Sequence, residues 1–351
     1  MSNEIVIENK VIGGNKDVFF VAEMSGNHNQ SLDRALAIVD AAARAGASAL
    51  KIQTYTSDTM TLDMDEREFF IHDEASLWKG QSLHQLYGKA YTPWEWHQPI
   101  FDRCRQHGLI GFSTPFDETS LDFLESLSVP LYKIASFENV DIPLIRKVAS
   151  TKKPLIISTG MATVDEMDEA VAAARDAGCR ELILLKCVSA YPAPAEDANL
   201  LTMRDLKSRY GCLVGLSDHS LGMGVSIAAA TLGAEVIERH LTMSRRDGGV
   251  DAAFSLEPEE MMLLVGEARK AKRATGRVSY GPVESEKQST KFRRSIYVAR
   301  DMKKDTNFTK ENVRVIRPGL GLAPKHYDEI LKKKAACDLK KGTPLIWDHV
   351  A

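Results

Sequence analysis

Between Val18 and Gly276 the sequence repeats a single unit, a short apolar or β-branched run followed by a longer amphipathic stretch, which is the alternation that builds βα units around a parallel sheet. Eight runs can be counted: "FFVAEMS", "ALKIQTY", "LIGFSTPF", "LYKIASF", "PLIISTG", "ELILLKCVS", "CLVGLSDHS" and "AEVIERHLT". The helices between them carry their own boundaries. "SLDRALAIVDAAARAG" and "TVDEMDEAVAAARDAG" each open on Ser or Thr, which can cap free N–H groups, and each close on a glycine, Gly46 or Gly178. Eight units match a closed (β/α)8 TIM barrel better than an open doubly wound sheet, which has fewer strands and a glycine-rich first turn. No G-x-G-x-x-G follows the first run. Gly222 and Gly224 are explained by a tight turn into "VSIAAATLGA", so a dinucleotide site is not expected.

The text changes after Gly276. "RVSYGPVESEKQSTKFRRS" is polar and aperiodic, so residues 1–276 are expected to form the barrel, 277–294 a linker and 295–351 a small second domain. In that last part "SIYVAR", "VRVIRPG" and "PLIWDHV" read as strands and "HYDEILKKKA" as a helix, a compact strand-rich module. With 44% hydrophobic and 26% charged residues the chain can bury a full core, and a net charge of −3 offers no field for nucleic acid or an anionic membrane. No basic-then-apolar leader opens it and no apolar run reaches the ~18 residues of a membrane span, so a cytoplasmic protein is expected. The five scattered cysteines lack a C-x-x-C pair and read as reduced; Cys187 is set aside as a small buried thiol.

In a barrel of this kind the C-terminal strand ends line the working face. Here every run ends in polar residues: Glu23 and Asn27, Lys51 and Gln53, Thr114 and Asp117, Lys133 and Ser136, Ser158, Lys186 and Ser189, Ser217 with Asp218 and His219, then Glu238 and His240. Lys51, Lys133 and Lys186 stand in apolar strands, where an unpaired ammonium is costly. Any one of them is equally well explained by pairing with a barrel carboxylate such as Glu23 or Glu238. Three together, with the hydroxyls of Thr114, Ser136, Ser158 and Ser217, point to a phosphate or carboxylate ligand. His219 and His240 end consecutive strands and would be rim neighbours, able to share one divalent ion. "RRDGGVDAAFS", with Asp247 and Asp251, has the position of a lid, Asp247 also reading as a plain surface turn, and "YPAPAED" places Tyr191 beside it. His28 reads as a loop-holding residue, and Trp94 and Trp96 as barrel packing.

At these residues the chain resembles a known family. "AEMSGNHNQSLDRALAIVDAAARAGASALKIQTYTSDTMT", "FSTPFD", "YKIASFEN", "ISTGMA", "SAYPAP", "GLSDHS" and "IERH" are similar to the sialic acid synthases, which condense phosphoenolpyruvate with an amino sugar, and the tail, through "VIRPGLG", resembles their antifreeze-like (SAF) domain. "AEMSGNHNQSLD", "QTYTSDTMTLD" and "TPWEWH" resemble the pseudaminic-acid-forming branch rather than the N-acetylneuraminate branch. The resemblance implies that Lys51, Thr114, Lys133, Ser136, Ser158 and Ser217 cradle phosphoenolpyruvate and that His219 and His240 hold manganese, with magnesium or cobalt as alternatives. It also implies that Glu23, Gln53, Tyr191 and Asp251 contact the sugar and that Glu138 is an acid or base. Arg317 would reach the site of a partner subunit in a domain-swapped homodimer.

The expected reaction joins phosphoenolpyruvate to 2,4-diacetamido-2,4,6-trideoxy-L-altrose, releasing phosphate by carbon–oxygen cleavage. Its alternatives are N-acetylneuraminate or legionaminate synthesis. A Schiff-base aldolase using Lys133 or Lys186 and a non-catalytic sugar-binding protein are rivals from other classes.

Overall fold

The computed structural model describes residues 4–14, 16–74 and 76–351. The chain separates into two compact units, the first ending at Gly276 and the second running from Arg277 to Ala351. Among the described residues no helix is long and apolar enough to cross a membrane.

The first unit opens with an antiparallel hairpin, β1 (Glu4–Ile7) and β2 (Lys10–Gly13). It turns Ile5, Ile7 and Ile12 into the core and was not anticipated. Its signal was a run of Ile and Val flanked by charged residues, too short at four residues per strand to stand out. The eight runs then become β3 (Phe19–Glu23), β4 (Ala49–Thr54), β5 (Ile110–Pro115), β6 (Tyr132–Ile134), β7 (Leu155–Ser158), β8 (Leu182–Cys187), β9 (Leu213–Asp218) and β10 (Val236–His240). They close into one parallel barrel, with β10 pairing to both β9 and β3. The fold is a TIM barrel.

Helices return the chain outside the strands, and their caps are those the sequence suggests. Ser31 accepts from the Arg34 N–H at the start of Leu32–Arg44, and Thr163 forms a capping box with Glu166 at the start of Val164–Asp176. Gly215 is required for a different reason: a Cβ there would meet the Val236 carbonyl oxygen at 2.1 Å. Its absence lets β9 and β10 approach, and these are the strands that end in His219 and His240.

In the second unit β11 (Ser295–Val298) pairs antiparallel with β12 (Val313–Ile316) over a core that includes Ile296, Val298, Phe308, Val313, Ile330 and Leu345. Two expected elements differ. The helix expected over "HYDEILKKKA" is the single turn Tyr327–Ile330, because from Lys333 onward the backbone is used in bridges to 307–308 and to Val350. "PLIWDHV" makes an isolated bridge at Pro344 and a 3-10 turn at Trp347–His349 rather than a strand. Residues 277–294 carry a 3-10 helix, Glu284–Phe292.

Candidate active site

The C-terminal ends of the barrel strands open into a cavity of about 550 Å³, lined among others by Lys51, Gln53, Lys133, Ser136, Glu138, Ser158, Tyr191, Ser217, His219, Glu238, His240 and Asp251. Side chains spread from position 51 to position 251 are thus brought together, because parallel register puts the equivalent end of every strand on one rim. Two further expected residues lie just beneath. Thr114 is fully buried and accepts a hydrogen bond from Lys51 Nζ at 3.4 Å; Glu23 is fully buried and accepts from Gln53 Nε2 at 3.1 Å. Arg317 belongs to the second unit, where it is exposed on the segment that follows β12.

The floor is a charged network. Lys51 Nζ sits 3.3 Å from Glu23 and 3.2 Å from Glu238, and Lys133 Nζ sits 3.2 Å from Glu238. Ser217 Oγ donates to the same Glu238 carboxylate at 3.1 Å. Burial works to raise Glu238, yet the two ammoniums hold it well below the usual carboxylate range. Glu23 is pushed the other way, mainly by burial and against the pull of Lys51. Lys51 stays charged, since Glu23 and Glu238 outweigh the cost of its burial, whereas burial lowers Lys133. Two cations therefore face one firmly ionised carboxylate and one that readily holds a proton, a balance that leaves positive charge for an anion.

Hydroxyls surround this floor. Ser158 Oγ is buried with no hydrogen-bond partner among the described residues, the state of a group shaped for a ligand. Ser136 Oγ accepts from the Gly160 N–H at 3.1 Å, and a Cβ on Gly160 would lie 2.7 Å from that oxygen and 2.3 Å from Ser189 Oγ. Asn139, which the sequence reading passed over, holds this turn by donating to the carbonyls of Ser158 and Gly160.

His219 and His240 stand side by side at one edge, ring centroids 5.3 Å apart. His219 Nδ1 lies 2.9 Å from the Val188 carbonyl, to which it can donate only as N–H, so Nε2 carries the lone pair when the ring is neutral; burial works to lower this imidazole, but Cys187 and the Val188 carbonyl raise it. His240 is buried and held far toward its neutral form by that burial and by the nearby His219 and Lys51; its Nδ1 has no hydrogen-bond partner among the described residues and lies 3.7 Å from Asp251 Oδ2. Two imidazoles on adjacent strands fit a divalent cation, which would take His219 in its neutral form. Among the described residues no group of three or more His, Cys, Asp or Glu is arranged as a complete metal site, so water or substrate would have to supply the other ligands.

Behind the imidazoles lies a buried ion pair, Arg239 to Asp218 at 2.7 Å, in which Asp218 also accepts from Ser220 and Ser226. Because Arg239 and Asp218 are ladder partners, this pair sets the register that puts His240 beside His219.

One expected member is absent. Lys186 is half-buried, donates to the Cys187 carbonyl at 2.9 Å and does not line the cavity. Strand alternation gives the reason: Cys187 is the ladder partner of inward-facing Ser217, so its neighbour Lys186 points outward. Cys187, set aside on the sequence, takes the inward place. Burial pushes its thiol up, but His219, Ser136 and Lys133 bring it down to about 7.

The upper rim was partly legible. Asp251 accepts from Ser25 Oγ and lines the cavity, while Asp247 pairs with Arg34 at 2.6 Å on the surface. His28 is buried and receives the Gln30 N–H, and Trp94 stacks on Phe123 at 4.6 Å, so both serve packing. In the long segment after β4, sequence reasoning found Tyr55 at the pocket but missed the rest of the wall. The segment contributes Tyr55, Ile71, Trp78, Leu83, Leu86 and Tyr87 to the cavity wall, and Trp78 Nε1 donates to the Val250 carbonyl at 2.7 Å, tying this segment to the lid.

A family model described as the NeuB family matches residues 38–280, and a SAF domain model matches 293–351. The chain belongs to the NeuB family. It is 42% identical to the pseudaminic acid synthase of Campylobacter jejuni serotype O:23/36 over 94% of this chain and 96% of that one, and 43% identical to the pseudaminic acid synthase of Helicobacter pylori over 94% and 97%. The N,N'-diacetyllegionaminic acid synthase of Legionella pneumophila is more distant, 35% identical over 99% of both chains. Among solved structures, the N-acetylneuraminic acid synthetase of Leptospira borgpetersenii in complex with citrate matches with a TM-score of 0.73 at 34% identity, covering 82% of this chain and 95% of that one. The NeuB-family match thus spans the strand ends from β4 onward, and the SAF match falls within the second unit.

Proposed function

We propose that this NeuB-family chain is a pseudaminic acid synthase, condensing phosphoenolpyruvate with 2,4-diacetamido-2,4,6-trideoxy-L-altrose to give pseudaminic acid and phosphate. One observation carries the reading. A floor with two buried ammoniums and an orphaned serine hydroxyl lies beside paired imidazoles, in a chain 42–43% identical to pseudaminic acid synthases over nearly its whole length.

In this reading Lys51 and Lys133 hold the anionic ends of phosphoenolpyruvate, with Ser136 and Ser158 donating to its oxygens, Ser217 turning its hydroxyl from Glu238 to the substrate on binding, and Thr114 buttressing Lys51. Glu23, Gln53, Tyr191 and Asp251 orient the open-chain sugar. Carbon three of the enol bonds to the aldehyde carbon, whose oxygen takes up a proton. Water then adds at carbon two, and the carbon–oxygen bond to phosphate breaks. Glu138, which lines the cavity and whose carboxyl is raised to about 7 chiefly by burial, would hold and return the water's proton. A divalent ion, manganese by expectation, would be held by His219 and His240 and would supply Lewis acidity to the aldehyde. The enzyme is proposed to act as a domain-swapped homodimer in which Arg317 completes the neighbouring subunit's site.

The test is phosphate release from phosphoenolpyruvate against a panel of acetamido sugars, with and without EDTA. Release with the diacetamido-trideoxy sugar, abolished by EDTA and restored by manganese, is expected. Preference for N-acetylmannosamine overturns the assignment of the sugar, and EDTA-resistant turnover that borohydride traps as a lysine adduct overturns the mechanism. For the dimer, mixing His219→Ala with Arg317→Ala subunits should restore partial activity that neither variant has alone; no recovery argues for sites confined to one chain.

A further inference from the structure

The cavity has two unlike sides. The floor is ionic, but the wall built by residues 55–90 is apolar and aromatic: Tyr55, Ile71, Trp78, Leu83, Leu86 and Tyr87 line it, and Asp73 and Ser76 are its polar members. Ile71, Leu83 and Leu86 can neither move a proton nor grip a phosphate.

The wall is nevertheless built with care. The segment folds back on itself through a bridge between Phe70 and Ser82, with the Ile71 N–H on the Gln81 carbonyl and the Gly80 N–H on the Ile71 carbonyl, both at 3.0 Å. Ser82 caps the helix Leu83–Ala90 in a box with Gln85, which aims Leu83, Leu86 and Tyr87 at the cavity. Tyr55 meets Tyr87 edge to face at 5.8 Å and Phe116 at 5.2 Å. An apolar surface that borders an open cavity is costly unless a ligand covers it.

We propose that this wall is the specificity-determining subsite of the enzyme, and that it takes the methyl groups of the sugar, those of the acetamido substituents and of the deoxygenated end, so selecting acylated deoxy sugars over sugars with a hydroxylated tail. The inference rests on the synthase reading above and deepens it. The physical basis is one-sided. A methyl group seated on Ile71, Leu83 and Leu86 leaves water at a gain, whereas a hydroxyl placed there gives up its water partners, and the apolar side chains offer none in return. Each methyl so recognised is worth about 10- to 200-fold in discrimination.

The experiment compares wild type with Leu83→Ser and Ile71→Ser, measuring kcat/KM for the diacetamido-trideoxy sugar and for N-acetylmannosamine, together with KM for phosphoenolpyruvate. The expected result is a loss of about 10-fold or more for the first sugar, expressed in its KM, with a much smaller loss for N-acetylmannosamine and an unchanged KM for phosphoenolpyruvate. Equal losses on both sugars, or none on either, overturn the subsite. Leu83→Met, which keeps an apolar surface, should retain the wild-type ratio and separates loss of recognition from loss of folding. A wild type that turns over neither sugar would sink the synthase reading itself. A wild type that works while its variants discriminate unchanged would sink only the subsite.

Discussion

The floor and the wall of the cavity are made by different means. The floor comes from strand ends, where Lys51, Lys133, Ser217 and Glu238 are fixed by ladder register and by one another. The wall comes from one segment between β4 and β5, held by a bridge, a cap and aromatic edges. The difference separates two tasks. A side chain on a barrel strand cannot move without its neighbours, which suits the handling of a reactive enol phosphate. A wall on an insertion can be altered without disturbing the barrel, which suits choosing a sugar.

The sharpest way to break that comparison is at the floor. Lys133→Met removes one of the two cations on Glu238 and should cost about 3 kcal/mol of stability, because a buried carboxylate loses a partner. Turnover should fall by about 1,000-fold, with KM for phosphoenolpyruvate rising. Denaturant melts and phosphate release check both, and an unchanged KM would disconnect the floor from that substrate.

Glu138, at the edge of the floor, should show a smaller effect, with Glu138→Gln lowering kcat by about 100-fold. It also carries a pH signature. Burial and the nearby Asp141, against the pull of Lys133 and Lys51, raise this carboxyl from 4.5 to about 7. Between those values the folded protein holds a proton that the unfolded chain has lost. The stability contributed is therefore complete below the lower value and disappears as pH rises through about 7. The glutamine variant lacks this dependence, so its stability relative to wild type should grow by on the order of 3 kcal/mol over that window and then level off. A flat difference across pH 4–8 would show that Glu138 is not held protonated.

The smallest effect belongs to the wall. Trp78→Phe keeps the ring but removes the hydrogen bond to the Val250 carbonyl, and should lower kcat/KM for the sugar by about 3- to 10-fold with no change in KM for phosphoenolpyruvate. An equal rise in both KM values would mean that the two sides do not act separately.

The same division decides what could be read from the amino acids. The barrel was legible because eight buried strands each leave a compact apolar run, and the floor because a lysine or glutamate inside such a run is conspicuous. Lys186 shows the limit of that argument: polarity marks a strand end, but which of two adjacent residues faces inward depends on ladder register, which put Cys187 there instead. Apart from Tyr55, the wall was not legible. Ile71, Leu83 and Leu86 are ordinary apolar residues in a stretch without a clear period, and only the fold reveals that they border open space. The hairpin β1–β2 escaped for a related reason, since two strands of four residues make too short a pattern.

The indole of Trp78 bonded to the backbone at Val250 joins two loops that are 172 positions apart in the chain. Grafting only one of them from a relative with another sugar preference would leave a donor or a carbonyl stranded at the seam. New substrate ranges in this scaffold should therefore be reached by exchanging both loops as a set, and a library that varies them together should yield more working chimaeras than one that varies either alone.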